Sequence, residues 1–286
     1  MGALTMPAFD TPGPLRATIE VPLGGVRISA GDRATTAVDV LPSDATNDDD
    51  RRAAELTRVE YANGHLVVKA PKPRVRLGRS SGGSVEVAVE LPAGSRVQAF
   101  GQAADFDCDG ALGDCRIVTG LGHIRLDSTA ALNAQSGSGD IGVDRVTGSA
   151  EVKTGSGAVR IRELGGSAVI RNSNGDTWIG AAGGDLRLKA ANGDVAVDVA
   201  RASVVAKSAN GDVRVGEIAR GSAVLETHAG DVEVGIREGT AAWLDVSASA
   251  GRVHNALAAA EAPESSAEVV RVRARTSIGD IVIRRP

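Results

Sequence analysis

Between Thr119 and Ile283 the chain repeats one short unit, marked by a glycine with aliphatic side chains two and four residues after it. Ser138-Gly139-Asp140-Ile141-Gly142-Val143, Asn192-Gly193-Asp194-Val195-Ala196-Val197 and Asn210-Gly211-Asp212-Val213-Arg214-Val215 are copies of it. The marker glycines stand at 122, 139, 157, 175, 193, 211, 230, 251 and 279, so the step stays close to 18 residues until near the end. A fixed period this short specifies a stacked array, because one unit cannot bury its own apolar face and its neighbours must do so.

Apolar residues also stand seven and five places before each glycine, as in Ala168/Ile170, Leu186/Leu188 and Val204/Ala206. Alternation on both sides of a glycine turn gives two half-buried strands per unit. Each unit is then either one coil of a β-solenoid or one hairpin of an antiparallel meander, since Asn-Gly is also a strong hairpin signal. The position three before the glycine reads Thr119, Ser136, Thr154, Asn172, Ala190, Ser208, Thr227, Ala248 and Thr276. Coil-on-coil stacking at ~4.8 Å explains that sameness, and a meander does not. The expected fold is an all-β, parallel β-solenoid of about 18-residue coils over residues 99–286, capped by a β-rich segment over 1–98 with one short helix.

Aromatics are only 2% of the chain while Gly numbers 36, which suits a thin stack filled by Val, Ile, Leu and Ala better than a thick globular core. A net charge of −4 implies no global attraction to nucleic acid or anionic membrane. No apolar run reaches the length of a membrane-spanning helix and no leader is read at Met1–Pro7, so a cytoplasmic protein is expected. Cys108 and Cys115 fall at inward positions of the extended repeat. They are expected as free, buried thiols, although a disulfide across the Asp109–Asp114 turn is an alternative.

Ahead of the array, Arg16–Val21, Gly25–Ser29 and Thr36–Val40 alternate as strands, and Thr46–Asp50 reads as a helix start with acids in its first turn. Asn63-Gly64 predicts a hairpin, Pro71–Gly83 a loop, and Ser84–Leu91 a strand. Residues 255–266 form an insertion, an Ala-rich helix or a loop, and Ile281–Pro286 puts charge and proline on what the order of the repeat makes the last edge.

The opening PAFDTPGPLRATIEV, the segment RRAAELTRVEYANGHLVVKAPK and the repeated ANGDVRV turns resemble a bacterial, especially actinobacterial, β-strand-repeat family of unknown function that carries an adhesin label. The resemblance covers nearly the whole chain. It implies a β-solenoid and supplies no catalytic residues, and a surface adhesin would need an export signal that is not read here.

Chemical motifs match on paper and fail on context. Gly137-x-Gly139-x-x-Gly142 fits a dinucleotide fingerprint but leads into a repeat strand, not a helix. Gly78-x-Ser80-x-Gly82 fits a nucleophile elbow but sits in a basic loop with Lys69, Lys72, Arg74, Arg76 and Arg79. Asp105, Asp107 and Asp109 resemble half of a calcium loop, yet Arg116 stands where the bidentate Glu belongs. They are read as solvated acids, with a calcium-dependent structural protein as one alternative. The four histidines show no ligand spacing, and no acid/base pair or cofactor site is read. Four units place a cation four residues before the glycine: Lys153, Arg171, Lys189 and Lys207. Asp140, Asp176, Asp194, Asp212 and Asp231 follow the glycine directly. If coils stack, these form a basic and an acidic stripe, either neutralising each other across the turn or offering a track for an anionic ligand. The expected function is a non-enzymatic interaction scaffold whose solenoid face binds a protein or an anionic polymer. A polysaccharide-active β-helix enzyme is the alternative, and its carboxylate cluster should break the repeat.

Overall fold

The computed structural model describes residues 8–76, 79–257 and 269–286, apart from the side chains of 74–76 and 79–81. The fold is an all-β parallel β-solenoid with a single α-helix among the described residues. Two compact units divide the chain, residues 1–141 and 142–286.

In the second unit, equivalent strands of successive coils pair in parallel. Val195 lies opposite Val213, and Val213 opposite Val232. On the other ladder Ile170 pairs with Leu188, and Leu188 with Ala206. The meander is therefore excluded, and the columns of aliphatics form the core: Val152, Ile170, Leu188, Ala206 and Leu225 on one wall and Ile161, Ile179, Val197, Val215 and Val234 on the other, all buried.

The polar row three before the glycine has a definite use. Polar members of the row donate to the glycine carbonyl of the preceding coil: Asn172 Nδ2 to Gly157 (3.0 Å), Ser208 Oγ to Gly193 (3.1 Å) and Thr227 Oγ1 to Gly211 (2.8 Å). A hydrogen bond of this kind contributes about 0.5–1.5 kcal/mol net. The repeated Asn-Gly pair is not a hairpin turn. Only its glycine has a positive φ, for example +132° at Gly193, and the asparagine stays extended. At Asn63-Gly64 both angles are positive, and there the predicted hairpin forms between Arg58–Ala62 and His65–Lys69.

In the first unit, coils begin well before residue 98. Arg16–Glu20 pairs in parallel with His65–Lys69 on one side and Arg96–Phe100 on the other. Leu23–Gly31 likewise lies between Val85–Pro92 and Ala103–Leu112. The outer coil is closed by antiparallel strands, Arg58–Ala62 on His65–Lys69 and Thr35–Pro42 on Val85–Pro92. The helix, Asp48–Leu56, packs on the latter two and is capped by Asn47, whose side chain accepts from the Asp49 amide at 2.9 Å. The expected loop at 71–83 instead contains a short antiparallel pair, Arg74–Arg76 with Arg79–Ser81.

The end of the second unit departs from sequence order. Val269–Ile278 inserts between Gly221–Ala229 and Ala241–Ala250, and Ile281–Arg284 between Val232–Ile236 and Val253–Asn255. The last strand in sequence is thus internal, and the edge belongs to Ala241–Ala250, contrary to the expectation that Ile281–Pro286 forms it. Leu244 and Val246, expected inside, are only half-buried for that reason. Most of the 255–266 insertion (residues 258–266) and Gly78 of the elbow motif lie outside the described residues.

Candidate binding face

The row of cations is built by the register. Lys153 pairs with Arg171, Arg171 with Lys189, and Lys189 with Lys207, so four cations stand on neighbouring coils of one outward face, one strand spacing of ~4.8 Å apart. The row ends at Glu226, opposite Lys207. Two residues earlier on the same strands run Glu151, Val169, Arg187, Val205 and Val224. Glu151 contacts both Lys153 (2.7 Å) and Arg171 (3.7 Å), and Glu226 holds Lys207 at 2.6 Å. Lys189 and Arg187 have no ion pair among the described residues, so the middle of this face carries uncompensated positive charge.

The aspartates do something else. Four of them accept, through Oδ1, the backbone amide of the equivalent residue one coil on: Asp176 from Asp194 (3.0 Å), Asp194 from Asp212 (2.8 Å), Asp212 from Asp231 (2.8 Å) and Asp231 from Asp280 (2.7 Å). A carboxylate bonding a backbone N–H is a charge-assisted hydrogen bond. These four aspartates therefore form a structural ladder, and none of the ion pairs seen links Asp176, Asp194, Asp212 or Asp231 to the basic row. Beside it runs an asparagine ladder, with Asn192 donating to Asn174 and Asn210 to Asn192, both at 2.9 Å.

A family model matches residues 18–284, almost the whole chain. The chain belongs to the Toastrack DUF4097 family. Similar solved structures include a "putative adhesin" from Bacteroides fragilis NCTC 9343, 10% identical over 97% of this chain and 95% of that one, with a TM-score of 0.33. Another of the same description, from Parabacteroides distasonis ATCC 8503, is 14% identical over 100% and 98% (TM-score 0.32). A "putative cell adhesion protein" from Clostridium sporogenes ATCC 15579 is 11% identical over 99% of each chain (TM-score 0.21). No match was found among curated proteins.

Elsewhere in this Toastrack chain, the three aspartates of the calcium-like motif are put to separate uses. Asp105 Oδ1 accepts the His123 amide at 2.7 Å, as the other rungs do. Asp107 stands in register between Arg27 and Arg125, and its buried Oδ1 accepts no hydrogen bond. Asp109 is exposed. No three described side chains of the metal-ligating types converge on one point. Lys69, from the basic loop, pairs with Glu20 at 2.9 Å, whereas the side chains of Arg74, Arg76 and Arg79 fall outside the description. No described helix is long and apolar enough to cross a membrane.

Cys108 and Cys115 are free and buried. Burial raises both thiols, Cys108 well above the ordinary value of 9.0 and Cys115 to about 11. The folded chain therefore holds thiol protons that an unfolded chain releases near the ordinary value of 9.0, so stability present below that pH declines as pH rises toward 11. Thermal melts from pH 8 to 11 should show a steeper loss for the Toastrack chain than for its Cys108→Ala/Cys115→Ala double variant. Equal slopes would remove the thiols from the account.

Sequence reasoning missed Arg187. Its position two residues before Lys189 was a usable signal, because strand alternation puts both on one face.

Proposed function

We propose that this Toastrack chain is a non-enzymatic interaction protein whose coil face bearing Lys153, Arg171, Lys189 and Lys207 binds an anionic partner, a polymer or an acidic protein surface. The observation that carries this reading is the in-register cation row with Arg187 beside it, held by two glutamates and left unpaired at its centre. A regular β-wall keeps such charges at fixed spacing without ordering a loop, which favours binding over a row of mobile side chains on a flexible segment. The repeat's aspartates are engaged with backbone amides, and this use supports a structural role for them over an acid/base one. The buried free thiols accord with a reducing, cytoplasmic setting.

Changing Lys153, Arg171, Lys189 and Lys207 together to Gln tests it. The wild type should be retained on heparin and polyglutamate resins and released by salt, and the variant should elute at markedly lower salt. Its melting should change little, because exposed pairs contribute only about 0–1 kcal/mol each. Equal retention of the two proteins would show that the row is surface and nothing more.

A further inference from the structure

A second feature of residues 142–286 is independent of the cation row. The edge strand Ala241–Ala250 is ten residues long and pairs only with Val269–Ile278 among the described residues. Its companion Val253–Asn255 pairs only with Ile281–Arg284. A long parallel edge with free backbone donors and acceptors is a template for another strand. The outer coil of residues 1–141, in contrast, has antiparallel strands across both its edges.

The side chains along this edge are those of an unfinished stack. Val272 and Ala274 are buried on the strand inside it, whereas Leu244 and Val246, opposite them, are half-buried. Val253 is 44% exposed against 0% for its partner Ile281. Trp243 is 68% exposed.

Charge says what would fit there. Val269–Ile278 presents Arg271, Arg273 and Arg275 outward, and the edge strand offers one acid against them, Asp245. Arg273 Nε and Arg275 Nη2 both reach across to Asp245 Oδ2, at 3.4 and 3.5 Å. Asp245 shows what becomes of an outward carboxylate beside these arginines. Arg271, opposite Trp243, has no ion pair among the described residues. Two copies meeting through this edge would bring two such arginine groups together with one aspartate each, so like charge disfavours that occupant.

We propose that Ala241–Ala250 accepts an extended segment of another protein by strand addition. The segment has small apolar residues facing Leu244, Val246 and Ala248 and acidic residues on its outward side. Backbone pairing supplies the binding and the arginines supply the choice of partner.

Two peptides test this on the full chain, one alternating Val and Glu and one alternating Val and Lys. The acidic peptide should slow amide exchange across Ala241–Ala250 and leave Leu186–Asn192 unchanged. Arg271→Glu, at an exposed site, should weaken it by about fivefold. The proposal is overturned if the Lys peptide protects the edge equally, or if the Glu peptide protects nothing. It is also overturned if the edge amides of the free chain already exchange as slowly as those of Val269–Ile278, because the edge would then be covered by a second copy or by the chain itself.

Discussion

A chain ending at residue 268 should lose the order of Ala241–Asn255 as well as the strands deleted. Those edge strands bond sideways only to Val269–Ile278 and Ile281–Arg284 among the described residues. With the inner coil gone, no strand pairing among the described residues joins them to Gly221–Ile236. The same deletion uncovers Ala223, Leu225, Val232 and Val234, all now fully buried, and removes Val270, Val272, Ala274, Ile281 and Ile283 from the core. At about 1.5–3 kcal/mol per large aliphatic side chain, the loss is on the order of several kcal/mol, comparable with the whole stability of a domain. An internal deletion of residues 237–266 makes the telling comparison. Gly230 and Gly279 are 49 apart, and removing 30 leaves 19, the step already found between Gly211 and Gly230. The sequential stack is thereby restored, and of the described residues lost only Thr240 is buried. Although it removes more of the chain, this variant should melt closer to the wild type than the truncation does. Amide exchange that stays slow across 241–255 in the truncated chain would show that the edge has another support.

The strength of the sequence reading and its main failure have one cause. Every coil carries the same inward pattern, so period, register and core could be read directly, down to Val195 lying opposite Val213. For the same reason the order of coils at the ends could not. Val272 and Ala274 fit against Ala223 and Leu225 as well as against Leu244 and Val246, and nothing in the repeat says that the last coil in sequence is the next to last in the stack. Local turn chemistry was legible where it is local, at Asn63-Gly64 and at the Asn47 cap. The repeated Asn-Gly-Asp motif has the residues of a turn, but its chemistry runs from coil to coil. Its asparagine and aspartate bond to residues 18 or 19 positions away, a relation visible only once stacking is granted. Among candidate site residues, the cation row followed from the register. Its partners Glu151 and Glu226 did not, because they stand on the same face as the cations and outside the repeated glycine-aspartate turn.

Gly193→Ala should be among the most damaging single changes in residues 142–286, although it adds one methyl group. Two independent costs meet there. The φ of +132° lies in a region that L-residues rarely adopt, a cost of about 1–3 kcal/mol. A Cβ at this position would also stand 2.3 Å from the Gly175 carbonyl oxygen and 2.5 Å from its carbon, backbone atoms that cannot rotate away. Relief requires prising adjacent coils apart, at about 1–3 kcal/mol for overpacking of this kind. That movement strains the bonds that hold the corner: Asn192 to Asn174, the Asp194 amide to Asp176, and the Gly193 amide to the Asn210 carbonyl at 2.8 Å. Together these give a loss of roughly 2–6 kcal/mol and a fall in Tm of roughly 5–20 °C for a unit of this size. Gly13→Ala is the control, since its Cβ would meet nothing within 4 Å and its φ lies outside the positive region. The glycines at 175, 211 and 230 face the preceding carbonyl as closely, so each should repeat the result. If Gly193→Ala melts with Gly13→Ala, the close glycine stack does not set the spacing of the coils, and the aspartate ladder beside it becomes the feature that does.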